Sequence, residues 1–258
     1  MTGPRGADEP TNSVLPAWDI AMGEMAAVGL LAADRHRSRT GKGSLVKLAL
    51  SDVALAMVGN LGRLAQAERG GMAEKDGNSL YGAFGRDFIT ADGRRVMVMA
   101  LTDRQWAALQ RATGLDAAGL TSATGTDLST ESGRFVARDA ISAALAPWFS
   151  ARSFAELRHI LSDAGASWGP YQTFQQLLAE DPRCSTDNPL FSRVDHPGIG
   201  PLLTPASPLY FSSANRVGAR RAPLPGEHTD EILTSLGLSD DEIGRLHDRG
   251  IVAGPTRT

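Results

Sequence analysis

From Ile20 to Ala33 every residue except Glu24 is apolar or glycine. The run has the length of a helix, and its Ala, Leu and Met content suits a helix better than a strand. A helix that is apolar nearly all round belongs in an interior. The stretch therefore predicts a buried helix, around which the rest of the chain must be arranged. Pro16 suits its first turn. Arg35, Arg37 and Arg39 gather at its far end, where cations complement the helix dipole, and Gly41 stops it. Asp19 stands at the entry, and Gly23, four residues on, lies on the same face and leaves room for close approach. Two readings of Asp19 stay open from the residues alone. It is a first-turn carboxylate with no chemistry, or a nucleophile set beside backbone N–H groups.

Composition narrows the classes of function. The chain has 258 residues, 42% of them hydrophobic, so one or two domains with a real core are expected. The net charge is -3 and no run of Lys or Arg is present, which argues against nucleic acid and anionic membrane surfaces as partners. A single cysteine, Cys184, excludes an internal disulfide and a multi-cysteine metal site, and fits a reducing cytoplasm. The histidines, His36, His159, His196, His228 and His247, show no metal-ligand spacing, so no metal is expected. The longest apolar run is too short to span a bilayer and ends in Arg-His-Arg rather than a cleavage site. The polar opening residues 1–12 read as a loop.

After the apolar helix, residues 45–50 (L-V-K-L-A-L) predict a short buried strand, and Ser51-Asp52 an N-cap for a helix over 53–69. Helix, strand, helix is the tail of an α/β unit, and a lone strand needs neighbours from elsewhere. Residues 68–79 form a hydrophilic, glycine-rich linker. Beyond it, 86–91 and 94–101 are strand-like and meet across Asp92-Gly93, a strong hairpin signal. Thr102-Asp103 caps a helix through Thr113 that Gly114 ends. Residues 116–130 read as loop, and 131–152 and 153–164 as two helices, the second with a Ser153/Glu156 capping box. A short extended piece over Ser167–Tyr171 and a helix over 173–180 close this small α+β section. Residues 187–209 carry five prolines and predict extended chain. Helices come next over 227–236 and from Ser239 to His247, with Ser239 and Glu242 as a capping box. The expected division is 1–70, 71–180 and 181–258.

Two glycine-bearing motifs carry competing readings. Residues 40–44 (T-G-K-G-S) look like the end of a phosphate loop. That pattern needs a glycine where His36 sits and should come after a strand, so a helix-to-strand turn explains it better. Tyr81-Gly82-Ala83-Phe84-Gly85-Arg86 is a turn with Phe84 packing inward, or a loop over which a ligand passes closely. The planar fork of Arg86 suits a free carboxylate. Trp18, Trp106, Trp148 and Trp168 read as core or contact residues, and Trp18 is set apart because it neighbours Asp19.

Taken together, these strings resemble the class III CoA-transferase family. The match is carried by Asp19, Gly23, Gly29, Leu31-Ala32-Ala33 and Arg39-Thr40-Gly41-Lys42-Gly43, then by 80–98, Gly169-Pro170 and 226–233 (G-E-H-T-D-E-I-L). The resemblance implies an α/β fold: a remnant of a Rossmann-like large domain, a small α+β domain, and a C-terminal segment returning to the large domain. It implies that Asp19 is catalytic, and that Gly23, Gly82, Gly85, Tyr81 and Arg86 contact substrate, the glycines admitting acyl groups to the Asp. Coenzyme A enters as part of the substrate, with no separate cofactor. The partners are acyl-CoA and dicarboxylic acids, and the working form is an interlocked homodimer. Within the family the strings are most similar to the 2-methylfumaryl-CoA isomerases, which move CoA between the two carboxyls of one acid. A racemase of α-methylacyl-CoA type is the main alternative, and a non-catalytic fragment or subunit of a split transferase the other. Typical members carry a long segment before the Asp where eighteen residues stand here. The chain expressed alone is therefore expected not to be a competent enzyme.

Overall fold

The computed structural model describes residues 3–71 and 75–254. Residues 72–74 of the expected linker, residues 1–2 of the polar opening and residues 255–258 lie outside the described residues. The chain is mixed α/β with small antiparallel sheets, and it divides after Tyr171 into two units.

The apolar run forms α1 (Ala17–Thr40), which enters at Pro16 and ends on Gly41 in the left-handed conformation, φ 73°. Its ends fall where the residue types demand. Its burial does not. No residue of α1 is buried, and Leu30 and Leu31 are each 69% exposed. The helix packs chiefly against α2 (Leu50–Asn60), which is less than half its length and cannot cover all its apolar faces. The strand expected over 45–50 is absent: residues 42–49 are without regular structure and α2 starts at Leu50. An extended apolar segment becomes a strand only when a neighbour accepts its ladder hydrogen bonds, and none of the described residues does so here. The helix expected over 53–69 is two helices. Gly62 adopts φ 73° and breaks it into α2 and α3 (Arg63–Glu68). No side chain caps α2, so Ser51-Asp52 lies inside the helix instead.

Around a three-stranded antiparallel sheet the first unit builds its core. The sheet has the order β1 (Phe84–Ile89), β2 (Arg95–Ala100), β3 (Ser167–Tyr171). The turn between β1 and β2 closes with Thr90 N–H donating to Arg94 O at 2.8 Å and Gly93 N–H to Thr90 O at 3.0 Å. Gly93 takes φ 76°, the left-handed residue that such a hairpin requires. Alternation puts Phe84 and Phe88 of β1 and Val96, Val98 and Ala100 of β2 on one face, all buried. Three helices cover that face. They are α4 (Asp103–Thr113), α7 (Arg138–Ser150) and α8 (Phe154–Asp163), contributing Trp106, Leu109, Ile141, Leu145, Phe149, Leu157 and Leu161. Thr102 and Ser153 cap α4 and α8 in complete capping boxes with Gln105 and Glu156.

Two expectations in this unit need correction. Residues 116–130 are not all loop: Asp116 caps α5 (Ala117–Thr124) and Gly125 ends it. Its small, weakly patterned residues hide the helix, because little of it faces the core. Residues 131–152 form two helices, α6 (Glu131–Val136) and α7, separated at Ala137. The second unit holds α9 (Phe174–Glu180), a hairpin of β4 (Phe191–His196) and β5 (Gly200–Pro205), then α10 (Thr229–Ser235) and α11 (Asp240–Asp248). Here His247 Nε2 lies 2.7 Å from Asp230 Oδ1, tying α11 to α10.

Candidate functional site

Asp19 lies in the first turn of α1. Its carboxylate is exposed and, among the described residues, makes no hydrogen bond or ion pair. The Ala17 N–H donates to Leu15 O at 2.8 Å, and no capping side chain reaches the N–H groups of Trp18 and Asp19. One turn along, nothing lies within 4 Å of where a Cβ on Gly23 would stand. The face shared by Asp19 and Gly23 is therefore open. Gly29 does a different job, since a Cβ there would meet Val46 Cγ1 at 3.4 Å and the segment after α1 packs against it. Trp18 is 41% exposed and covers nothing in the core.

The second group of candidates forms one turn at the start of β1. Leu80 N–H donates to Gly85 O at 2.9 Å and closes it. Gly82 adopts φ 83° with open space on its Cβ side. Gly85 is a glycine by contact: a Cβ would lie 2.6 Å from Leu80 Cβ. Phe84 packs inward, as a structural turn requires. Tyr81 meets Phe135 edge-on at 5.5 Å between centroids, and the Arg63 guanidinium of α3 stands 4.0 Å over its ring. Those contacts fix Tyr81 as a bridge between α3, α6 and the turn.

Arg86 lines a cleft of about 510 Å³ along the open edge of β1, together with Arg5, Asn78, Asp87 and Arg95. Its Nη1 donates to Ser79 Oγ at 2.8 Å, and its Nε is 4.0 Å from Asp87 Oδ1. The Asp87 side chain is only 4% exposed and is paired with Arg95. Arg5 is held by Asp139 at 2.6 Å. Hydrogen bonding from Arg5, with Coulombic help from Arg5, Arg138 and Arg86, holds the Asp139 carboxyl below its usual range. Sequence reasoning singled out Arg86 but not Asp87, Arg95 and Asn78, which line the same cleft. The available signal was Asp87 itself, an acid inside a strand otherwise flanked by Phe84, Phe88 and Ile89.

The candidates thus fall into two sets. Asp19 and Gly23 share a helix face, and Tyr81, Gly82, Gly85 and Arg86 share a turn. Among the described residues no hydrogen bond, ion pair or ring contact joins the sets. Nor do any three His, Cys, Asp or Glu side chains converge as a metal site among the described residues. No helix of the described residues is long and apolar enough to cross a membrane.

Known proteins are similar to this chain in sequence and in fold. The family model described as CoA-transferase family III matches residues 1–229. The 2-methylfumaryl-CoA isomerase of Chloroflexus aurantiacus is 54% identical over 261 residues, covering 100% of this chain and 64% of its own length. The succinyl-CoA:mesaconate CoA-transferase of Haloarcula marismortui is 28% identical over 238 residues, covering 90% and 57%. The chain thus spans less than two thirds of either curated relative. A solved CAIB/BAIF family protein from Brucella suis superposes with a TM-score of 0.63 at 23% identity, over 91% of this chain and 59% of that one, a likeness of fold.

Proposed function

This chain belongs to CoA-transferase family III, and on that premise we propose that Asp19 carries CoA between the two carboxyls of one dicarboxylic acid. The observation that carries the reading is the open Asp19–Gly23 face, a carboxylate with no partner among the described residues at an uncapped helix start. The 54% identity to a 2-methylfumaryl-CoA isomerase supports the choice of substrate.

In this reading the Asp19 carboxylate attacks the thioester carbonyl of an acyl-CoA. The C–S bond breaks, CoA leaves as thiolate, and a mixed anhydride of Asp19 and the acid remains. The thiolate then attacks the Asp19 carbonyl, forming an aspartyl-CoA thioester and releasing the acyl carboxylate. The other carboxylate of the same acid attacks that thioester, and the two steps run in reverse. Covalent relay replaces one hard exchange by easier ones. Each tetrahedral oxyanion needs N–H donors, which the uncapped first turn of α1 offers. Gly23 and Gly82, open on their Cβ sides, keep side chains out of the path of the acyl group, and Gly85 lets the turn close against Leu80. Coenzyme A is substrate, and the working form is a homodimer.

The test uses Asp19→Asn and Asp19→Ala in the full protein with mesaconyl-C1-CoA and no added acid. The unaltered protein is expected to form the C4 isomer, and both variants to lose transfer with an unchanged circular dichroism spectrum. Wild-type turnover in Asp19→Ala overturns the assignment. An absolute need for a second acid points to an intermolecular transferase, and α-proton exchange without CoA movement to a racemase.

A further inference from the structure

We propose that the cleft along β1 is a carboxylate subsite, in which Arg86 and Arg95, bridged by Asp87, hold the free carboxylate of the acyl group with help from Asn78. The inference rests on the dicarboxylic acyl-CoA reading for its ligand, but its geometry is independent of Asp19.

The balance of charge around the cleft identifies the ligand. Arg5 is matched by Asp139 at 2.6 Å, Arg138 by Asp76 at 3.9 Å, and Arg95 by Asp87. Arg86 remains. Among the described residues its close contact is the neutral Ser79 hydroxyl, and the Asp87 oxygen nearest its Nε is 4.0 Å away. Within this set one positive charge is left over, facing a cleft of about 510 Å³, and it balances one carboxylate. A phosphate dianion concentrates both charges at one point and would leave one unmatched beside the buried Asp87 side chain, whereas a dicarboxylate holds its second charge at the far end of the acid. A guanidinium fork binds carboxylate through two parallel N–H···O bonds. Asp87, 4% exposed, is a positioning residue: it fixes Arg95 and stands beside Arg86 without reaching the ligand. The arrangement sits on a strand, directly after the glycine turn at 81–85, so the sheet rather than a loose loop sets its geometry.

Calorimetric titration of the full protein with the 2-methylfumarate dianion tests the proposal, in the unaltered protein and in an Asp19→Ala background. Both are expected to bind it equally. Arg86→Gln should weaken binding by about 10- to 100-fold, the range for losing a charge-assisted pair. Arg86→Lys, which keeps the charge beside Asp87 and serves as a folding control, should fall between. Inorganic phosphate should bind more weakly than the dicarboxylate. Undiminished affinity in Arg86→Gln, absence of binding to the unaltered protein, or tighter binding of phosphate overturns the subsite. Failure of Asp19 as nucleophile leaves these affinities untouched, so the two readings fail separately.

Discussion

Phe88 of β1 and Phe149 of α7 stack with ring centroids 4.3 Å apart and planes 7° from parallel. The pair joins the sheet to the helix that covers it, and Phe149 is fully buried. Phe149→Ala removes the ring and leaves a cavity between two rigid elements. The expected cost is about 3–5 kcal/mol, read from urea unfolding, with Phe149→Leu costing clearly less. A loss below about 1 kcal/mol for the alanine variant is what surface substitutions give, and would place the core elsewhere.

The two glycines of the 81–85 turn are required for different reasons, and substitution separates them. At Gly85 an added Cβ would sit 2.6 Å from Leu80 Cβ, an atom fixed to the backbone that cannot swing away. Gly85→Ala should therefore destabilise the first unit by about 1–3 kcal/mol, as overpacking does. At Gly82 space is open but φ is 83°. Gly82→Ala is strained by conformation alone, and Gly82→Asn, which tolerates that region, should recover part of the loss. Equal stability for Gly82→Ala and Gly82→Asn in thermal unfolding would contradict this.

How much was legible in the sequence depends on the range of the forces involved. Thr102, Ser153 and Ser239 announced their helices because a cap is complete within four residues, and the structure adds a fourth capping box at Thr173. Asp92-Gly93 marked its hairpin for the same reason. Helix α5 was missed because its Ala, Gly and Thr residues give no strong stripe, and Ala137 because nothing local distinguishes a break from a continuous helix. The strand over 45–50 failed differently. Its apolar run is real, but strand status depends on a partner, which no local pattern encodes. Among the candidates, the helix face shared by Asp19 and Gly23 was readable from their spacing. Asp87 and Arg95 were not, since they meet across the β1–β2 register rather than along the chain.

In the second unit the Arg221 guanidinium pairs with Glu227, whose Oε2 also accepts the Leu224 N–H at 2.7 Å. The arginine bonds chiefly, then the backbone bond, lower the Glu227 carboxyl to about 2 from an ordinary 4.5. A depressed carboxylate binds its proton less readily when folded. Its stabilisation is complete above about pH 4.5 and fades as the pH falls toward 2. The protection factor of the Leu224 amide, the intrinsic exchange rate over the observed one at each pH, should fall through that window. Glu227→Gln should show the lower protection already at about pH 5 and change little below it. A Leu224 amide equally protected at about pH 5 and about pH 2.5 would show that the pair does not hold the turn.

The last prediction concerns the surface of α1. Trp18, Ile20, Met25, Val28, Leu30 and Leu31 are all exposed, and Leu45, Val46 and Leu55 nearby add to them. Scattered apolar residues on a surface are ordinary, but a 24-residue helix that carries them nearly all round and buries none of its residues marks an interface. Burying such a face gains about 25 cal/mol per Å² of apolar area, so a chain left with it uncovered lowers its free energy by associating. The 258-residue chain expressed by itself should therefore bind a hydrophobic dye strongly and self-associate in light scattering. Val28→Lys with Leu31→Glu, both on that surface and outside the sheet core, should reduce dye binding and association while leaving the Phe88–Phe149 core intact by near-ultraviolet circular dichroism. With α1 solvated in this way, Asp19 also lacks the dry surroundings that protect a mixed anhydride from water. With α1 left uncovered, hydrolysis should then outrun acyl transfer. A monodisperse monomer that ignores the dye and binds CoA tightly in calorimetry would overturn both the interface and its link to catalysis.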